Sequence, residues 1–140
     1  MRANDDLSSI SLDHLRQQKN WQSIYREITR WGNLISEKPD LRNEQYKISA
    51  CDVNTWLYFE KSDEGLCCFW FDSESRVING MGALVLSQVQ NQLVEVIDKI
   101  DWREQFNELG LSKHLTPSRS NGVRAIVNRV YEYIALPKRF

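Results

Sequence analysis

Apolar residues recur along this chain with two different periods. Trp21, Ile24, Tyr25, Ile28, Trp31 and Ile35 follow helical spacing and form one stripe, which predicts a helix from about Asn20 to Ile35 with Asn20 as its N-cap. A shorter helix, Leu12 to Gln18, is expected behind Ser11, and the polar residues 1–10 before it read as a flexible arm. The Glu37-Lys38-Pro39-Asp40 segment stops the long helix. Three β-prone runs follow: Tyr46–Ser49, Thr55–Lys61 and Leu66–Phe71. The last two are separated by Ser62-Asp63-Glu64-Gly65, a hairpin turn.

After a polar break at Asp72-Ser73-Glu74-Ser75, residues Arg76 to Val89 are apolar around most of a helical circumference, which predicts the most buried helix. Gly80 and Gly82 inside it each cost roughly 0.5–1 kcal/mol relative to alanine, so the backbone there is expected to lie against the sheet. A short turn at Val94–Ile97 and an Asp101-capped helix, Trp102–Leu109, lead to Gly110. Thr116-Pro117-Ser118 opens a last helix whose inward face carries Val123, Ile126, Val127, Val130 and Ile134, and Pro137 ends it. The order describes an α+β fold, a three-stranded antiparallel sheet packed against helices, in one domain spanning 1–140.

Composition narrows the function classes. With 140 residues and 41% apolar content, one core is expected. Eighteen basic and nineteen acidic residues leave a net charge of −1, so no global field draws in nucleic acid or anionic lipid. No run is long enough to span a membrane and no signal peptide is evident, so the expected location is cytoplasmic. Cys51, Cys67 and Cys68 lack CxxC spacing, which argues against a disulfide framework or a zinc ribbon. His14 and His114 belong to no metal-ligand pattern, no phosphate-binding glycine loop is present, and no bound cofactor or metal is expected.

Cys51 falls in the break between two strand-like runs, where a thiol is reachable and its reactivity follows its ionisation. Cys67 and Cys68 lie within a strand, pointing to opposite faces, and read as structural residues. Cys51 with His114 and Asp72 permits a cysteine-hydrolase reading. Arg119 stands in the first turn of a helix, where the macrodipole opposes a cation, and this suggests another use for it.

Four blocks together resemble the SufE family: Asn20-Trp21 with Tyr25, Cys51 with Trp56 five residues on, Asp72-Ser73 followed by Gly80, and Leu111-Ser112-Lys113-His114-Leu115-Thr116-Pro117-Ser118-Arg119-Ser120-Asn121-Gly122. The Cys51 block is similar to the family's GCxSxVW loop, and the block from Leu111 to Gly122 resembles its L(T/S)xSRSxGL signature. The resemblance implies a fold shared with IscU-type scaffold proteins. It also implies a sulfur acceptor that stimulates a pyridoxal-phosphate cysteine desulfurase of the SufS or CsdA kind, rather than a stand-alone enzyme. Cys51 matches the persulfide acceptor, with Arg119, Asp72 and Trp56 as supporting residues, and sulfur passes on to an iron–sulfur scaffold. Ala50, Val53 and Thr55 depart from the family's glycine, small polar residue and valine. In the free protein Cys51 is expected to be tucked inward. A module that receives a whole cluster is the remaining alternative, and it needs exposed ligands beyond Cys51.

Overall fold

The computed structural model describes residues 3–140. Seven helices and one two-stranded antiparallel sheet are found among them: α1 (Leu12–Arg16), α2 (Trp21–Trp31), β1 (Thr55–Lys61), β2 (Cys67–Ser73), α3 (Arg76–Val89), α4 (Val94–Asp98), α5 (Trp102–Glu108), α6 (Leu111–His114) and α7 (Pro117–Tyr133). The expected α+β architecture holds, with one strand fewer than predicted.

The missing strand is Tyr46–Ser49. Asn43 accepts a hydrogen bond from the Gln45 amide and coils Glu44–Tyr46 into a 3₁₀ turn. Only the Lys47–Trp56 bridge remains, with Ile48 N–H donating to the Thr55 carbonyl at 2.8 Å. The Cys51 amide then bonds the Ile48 carbonyl, turning the chain before a ladder can grow.

β1 and β2 pair from Thr55–Ser73 to Lys61–Cys67, closed by Gly65 at φ 85°. β2 runs two residues beyond the predicted end because the polar groups there find partners. The Ser73 and Thr55 hydroxyls lie 2.9 Å apart, and Asp72 is held by the Lys38 amide and the Arg42 side chain. The hairpin's alternation sorts its side chains: Leu57, Phe69 and Phe71 face the helices, while Trp56, Trp70 and Cys68 face the connector around Leu41 and Tyr46. Cys67 is buried and Cys68 partly exposed on the other face, as the alternation predicts.

α3 is the central helix, packed on α2, β2 and α7. Its glycines are contact points. A Cβ at Gly82 would overlap the Phe71 ring of the sheet, as anticipated, whereas one at Gly80 would overlap the Ile28 carbonyl of α2. Gly32 sits against the Arg76 carbonyl in the same way, and the chain tightens there into a 3₁₀ turn, so α2 ends four residues earlier than the stripe suggested. At the other end of the chain α7 closes before Pro137, with Ala135 at φ 61° and Leu136 N–H bonded to the Tyr131 carbonyl.

The predicted arm differs most. Residues 1 and 2 lie outside the described part, but 3–10 strap the body. Leu7 is buried, the Asn4 amide donates to the Phe69 carbonyl, and Asp5 pairs with Lys38 at 2.6 Å. Lys38 is 1% exposed and also donates to the Ser36 and Phe71 carbonyls, so the strap satisfies a buried ammonium.

Candidate functional site

The loop carrying Cys51 has a fixed base and an exposed tip. Ile48 and Cys51 make the turn that starts it, while the Asn54 carbonyl accepts from Glu74 N–H and the Ser73 hydroxyl at its end. Asp52, Val53 and Asn54 are exposed and Cys51 is half-buried. Among the described residues only Asn91 and Ala135 have positive φ without being glycine. Ala50 therefore adopts ordinary backbone, and this conformation does not require the family's glycine.

α7 supplies the opposing wall. The Thr116 hydroxyl accepts from Arg119 N–H and caps the helix, with Pro117 in its first turn. Ser118 and Gly122, four residues apart, fall on one face of that helix, and both meet the loop. The Ser118 hydroxyl donates to Asp52 Oδ2 at 2.6 Å, and Cys51 Sγ lies 3.8 Å from the Gly122 carbonyl. A Cβ at residue 122 would press on Ile78 Cδ1 at 3.2 Å and meet the Cys51 sulfur at an ordinary contact distance of 3.9 Å, so the glycine makes room for Ile78 rather than for the thiol. Together with Ser75 and Ile78 of the α3 start, these residues enclose a cavity of about 280 Å³. Burial pushes the Cys51 thiol above its ordinary pKa, the Thr55 hydroxyl opposes this, and the Asp52 charge adds to it. The resting cysteine is inward-facing and favours the neutral thiol.

Arg119 lines this cavity and also a neighbouring groove on α2. Its guanidinium donates to the Tyr25 hydroxyl at 2.8 Å and lies 5.7 Å from the ring centroid. Tyr25 thus holds the cation at the boundary between the two spaces.

The other named residues lie elsewhere. His114 stacks on Trp21, ring centroids 5.1 Å apart, and Asp72 is buried between the Lys38 amide and Arg42. Neither hydrogen-bonds Cys51, so the thiol–imidazole–carboxylate arrangement of a hydrolase is not assembled. Trp56 packs with Leu41 and Trp70 under the Arg42 guanidinium, 4.9 Å from its ring, on the sheet face away from the helices. Asp72 and Trp56 thus anchor the connector to the hairpin. Among the described residues no three His, Cys, Asp or Glu side chains group to hold a metal ion.

The SufE family model, described as an Fe-S metabolism associated domain, matches residues 10–134. The chain belongs to the SufE family. Its role therefore lies in iron–sulfur metabolism. A solution structure of a hypothetical protein from Thermus thermophilus superposes with a TM-score of 0.71 at 12% identity, covering 95% of this chain and 96% of that one. At that identity the likeness concerns the fold. No helix among the described residues is long and apolar enough to cross a membrane.

In this SufE-family chain Cys51 and Arg119 were legible as site candidates, while Asp52 and the contacts of Ser118, Gly122 and Ile78 were not. The four-residue spacing of Ser118 and Gly122 at a helix start was the available signal, because it places both on one face. Nothing in the sequence indicated which face meets residue 51.

Proposed function

We propose that this protein accepts sulfur on Cys51 from the persulfide of a cysteine desulfurase, stimulates that enzyme by clearing its active site, and relays the sulfur to an iron–sulfur scaffold. The observation that carries the reading is the placement of the three thiols. Cys67 is buried in β2 and Cys68 lies on the connector side of the hairpin, whereas Cys51 sits half-buried beside an exposed loop tip and lines a cavity. All three thiols are unpaired, which suits the reducing cytoplasm.

The transfer needs no oxidant. The Cys51 thiol loses its proton to solvent, and the thiolate attacks the terminal sulfur of the donor persulfide. A sulfur–sulfur bond forms on Cys51, the donor's own breaks, and the electron pair leaves with the donor's cysteine thiolate. Pyridoxal phosphate belongs to the desulfurase. In the resting protein burial and Asp52 hold back ionisation, so the loop opens before Cys51 reacts. Arg119, freed from Tyr25, is the cation best placed to steady the thiolate.

Incubation with a desulfurase and cysteine should add sulfur, about 32 Da, to the Cys51 peptide in mass spectrometry. A Cys51→Ser protein should accept none and give no stimulation. Equal stimulation by that variant, or sulfur found on Cys67 or Cys68 instead, would overturn the reading.

A further inference from the structure

A groove of about 710 Å³ lies between α2 and the α6–α7 junction, next to the Cys51 cavity. Its walls hold four arginines, Arg26, Arg30, Arg76 and Arg119, and no carboxylate lines it, although the whole chain carries slightly more acidic than basic residues. Glu27 partners Arg30 at 2.6 Å, and Tyr25 holds Arg119. Arg26 and Arg76 are exposed, and neither pairs with a carboxylate among the described residues. Two of the four also stand where their own helices disfavour them: Arg76 is the first residue of α3 and Arg119 the third of α7, so each opposes a macrodipole. The floor is aromatic, with Trp21 stacked on His114 and tilted against Tyr25 at 5.8 Å.

Thr116 and Arg119 line both this groove and the Cys51 cavity. A protein that brings a persulfide onto Cys51 therefore reaches over the groove as well. We infer that the groove receives an acidic segment of the sulfur-donating protein, with its carboxylates on Arg26 and Arg76 and its side-chain bodies on the Trp21–His114 platform. This rests on the sulfur-acceptor reading and adds where and by what chemistry the donor is held. The cations come from three separate helices along an open groove, which suits an extended chain of carboxylates better than one small anion. Its consequence is division of labour: the groove sets affinity and encounter rate, and the Cys51 loop carries out the transfer.

The test is the double reversal Arg26→Glu with Arg76→Glu, assayed for sulfur transfer from a purified desulfurase loaded with persulfide, across a range of salt concentrations. The expected result is a KM raised about tenfold at low salt, with a flattened salt dependence and kcat at saturation unchanged. Persulfidation of Cys51 by a small polysulfide donor should be unaffected. The pair Lys61→Glu with Lys99→Glu changes net charge equally outside the groove and should leave KM unchanged. Thermal unfolding checks each fold, and Arg26→Gln with Arg76→Gln serves if the reversals are unstable. An unchanged KM in the groove variants, or an equal rise in the control pair, overturns the inference. So does saturable phosphate binding that the groove variants lose while desulfurase affinity stays intact, since that assigns the groove to a small anion. A wild-type chain that takes up no sulfur from the desulfurase fails the acceptor reading itself, whereas uptake with unaltered KM in the variants fails only the docking.

Discussion

Ser118→Ala isolates the contact that holds the Cys51 loop against α7. The hydroxyl donates to Asp52 at 2.6 Å, a short charge-assisted bond, but both residues are exposed. Solvent competition reduces its net value to about 0.5–1 kcal/mol. In the proposed transfer the Cys51 sulfur reacts from an opened loop, because the resting thiol faces the Gly122 carbonyl. Loosening the loop by that amount raises the open population, and hence the alkylation rate, about two- to fivefold. The assay is the second-order rate of iodoacetamide labelling under native conditions, resolved by peptide mass spectrometry, with Cys68 as internal reference. The Asp52 charge remains in this variant, so the pH midpoint of labelling should stay in place while the rate rises. Asp52→Asn weakens the same bond and also removes a charge that opposes ionisation, so its labelling should speed up and shift to lower pH. A Ser118→Ala rate equal to wild type, or a matching rise at Cys68, would refute the latch.

Wild-type Cys51 should ionise above the ordinary thiol range, because burial and Asp52 both favour the neutral form. Stability from this group is complete below the unfolded thiol pKa and declines as pH rises towards the folded value, measurable as urea midpoints on the alkaline side. Tyr131→Phe removes a hydroxyl that accepts from Trp102 Nε1 at 2.8 Å and donates to the Ile97 carbonyl at 2.7 Å, both buried. Leaving those two groups unsatisfied should cost about 2–3 kcal/mol and lower Tm by about 6–10 °C in calorimetry. Asp5→Asn strips the carboxylate from Lys38 and should destabilise by about 3 kcal/mol in urea unfolding, whereas a loose arm would give no change.

What could be read in the sequence was what repeats locally. The α2 stripe, its Asn20 cap and the apolar α3 were legible because helical period and capping chemistry act within a few residues. Tyr46–Ser49 departs from its expected strand because β propensity takes no account of whether a ladder has room to grow, and the Ile48–Cys51 turn removes that room. The N-terminal strap was illegible for another reason: one apolar residue, Leu7, and one carboxylate, Asp5, find partners only after the chain has folded. The site divides along the same line. Trp56 and Asp72 sit close in sequence to the loop and to the α3 start, yet strand alternation and a buried ion pair turn them to the connector side. Ser118 and Gly122 are about seventy residues from Cys51 and touch its loop.

The resting geometry poses a chemical problem whose answer constrains the proposed transfer. A sulfur acceptor needs a thiolate, but here burial and a neighbouring carboxylate favour the thiol, and the one arginine at the cavity is engaged with Tyr25. A cysteine kept this way resists oxidation and adventitious alkylation, since both act on the exposed thiolate. Its reactivity must then come with opening: Asp52 leaves Ser118, the sulfur enters the donor's site, and Arg119 exchanges a neutral hydroxyl for a charge. That exchange is favourable only when an anion is present, either the Cys51 thiolate or a donor carboxylate. Activation is thereby tied to the partner's arrival. Tyr25→Phe releases Arg119 in advance, so it should speed Cys51 alkylation in the free protein while narrowing the difference between free and desulfurase-bound rates. Equal acceleration in both states would show that Tyr25 holds only the fold and that Arg119 takes no part in the coupling.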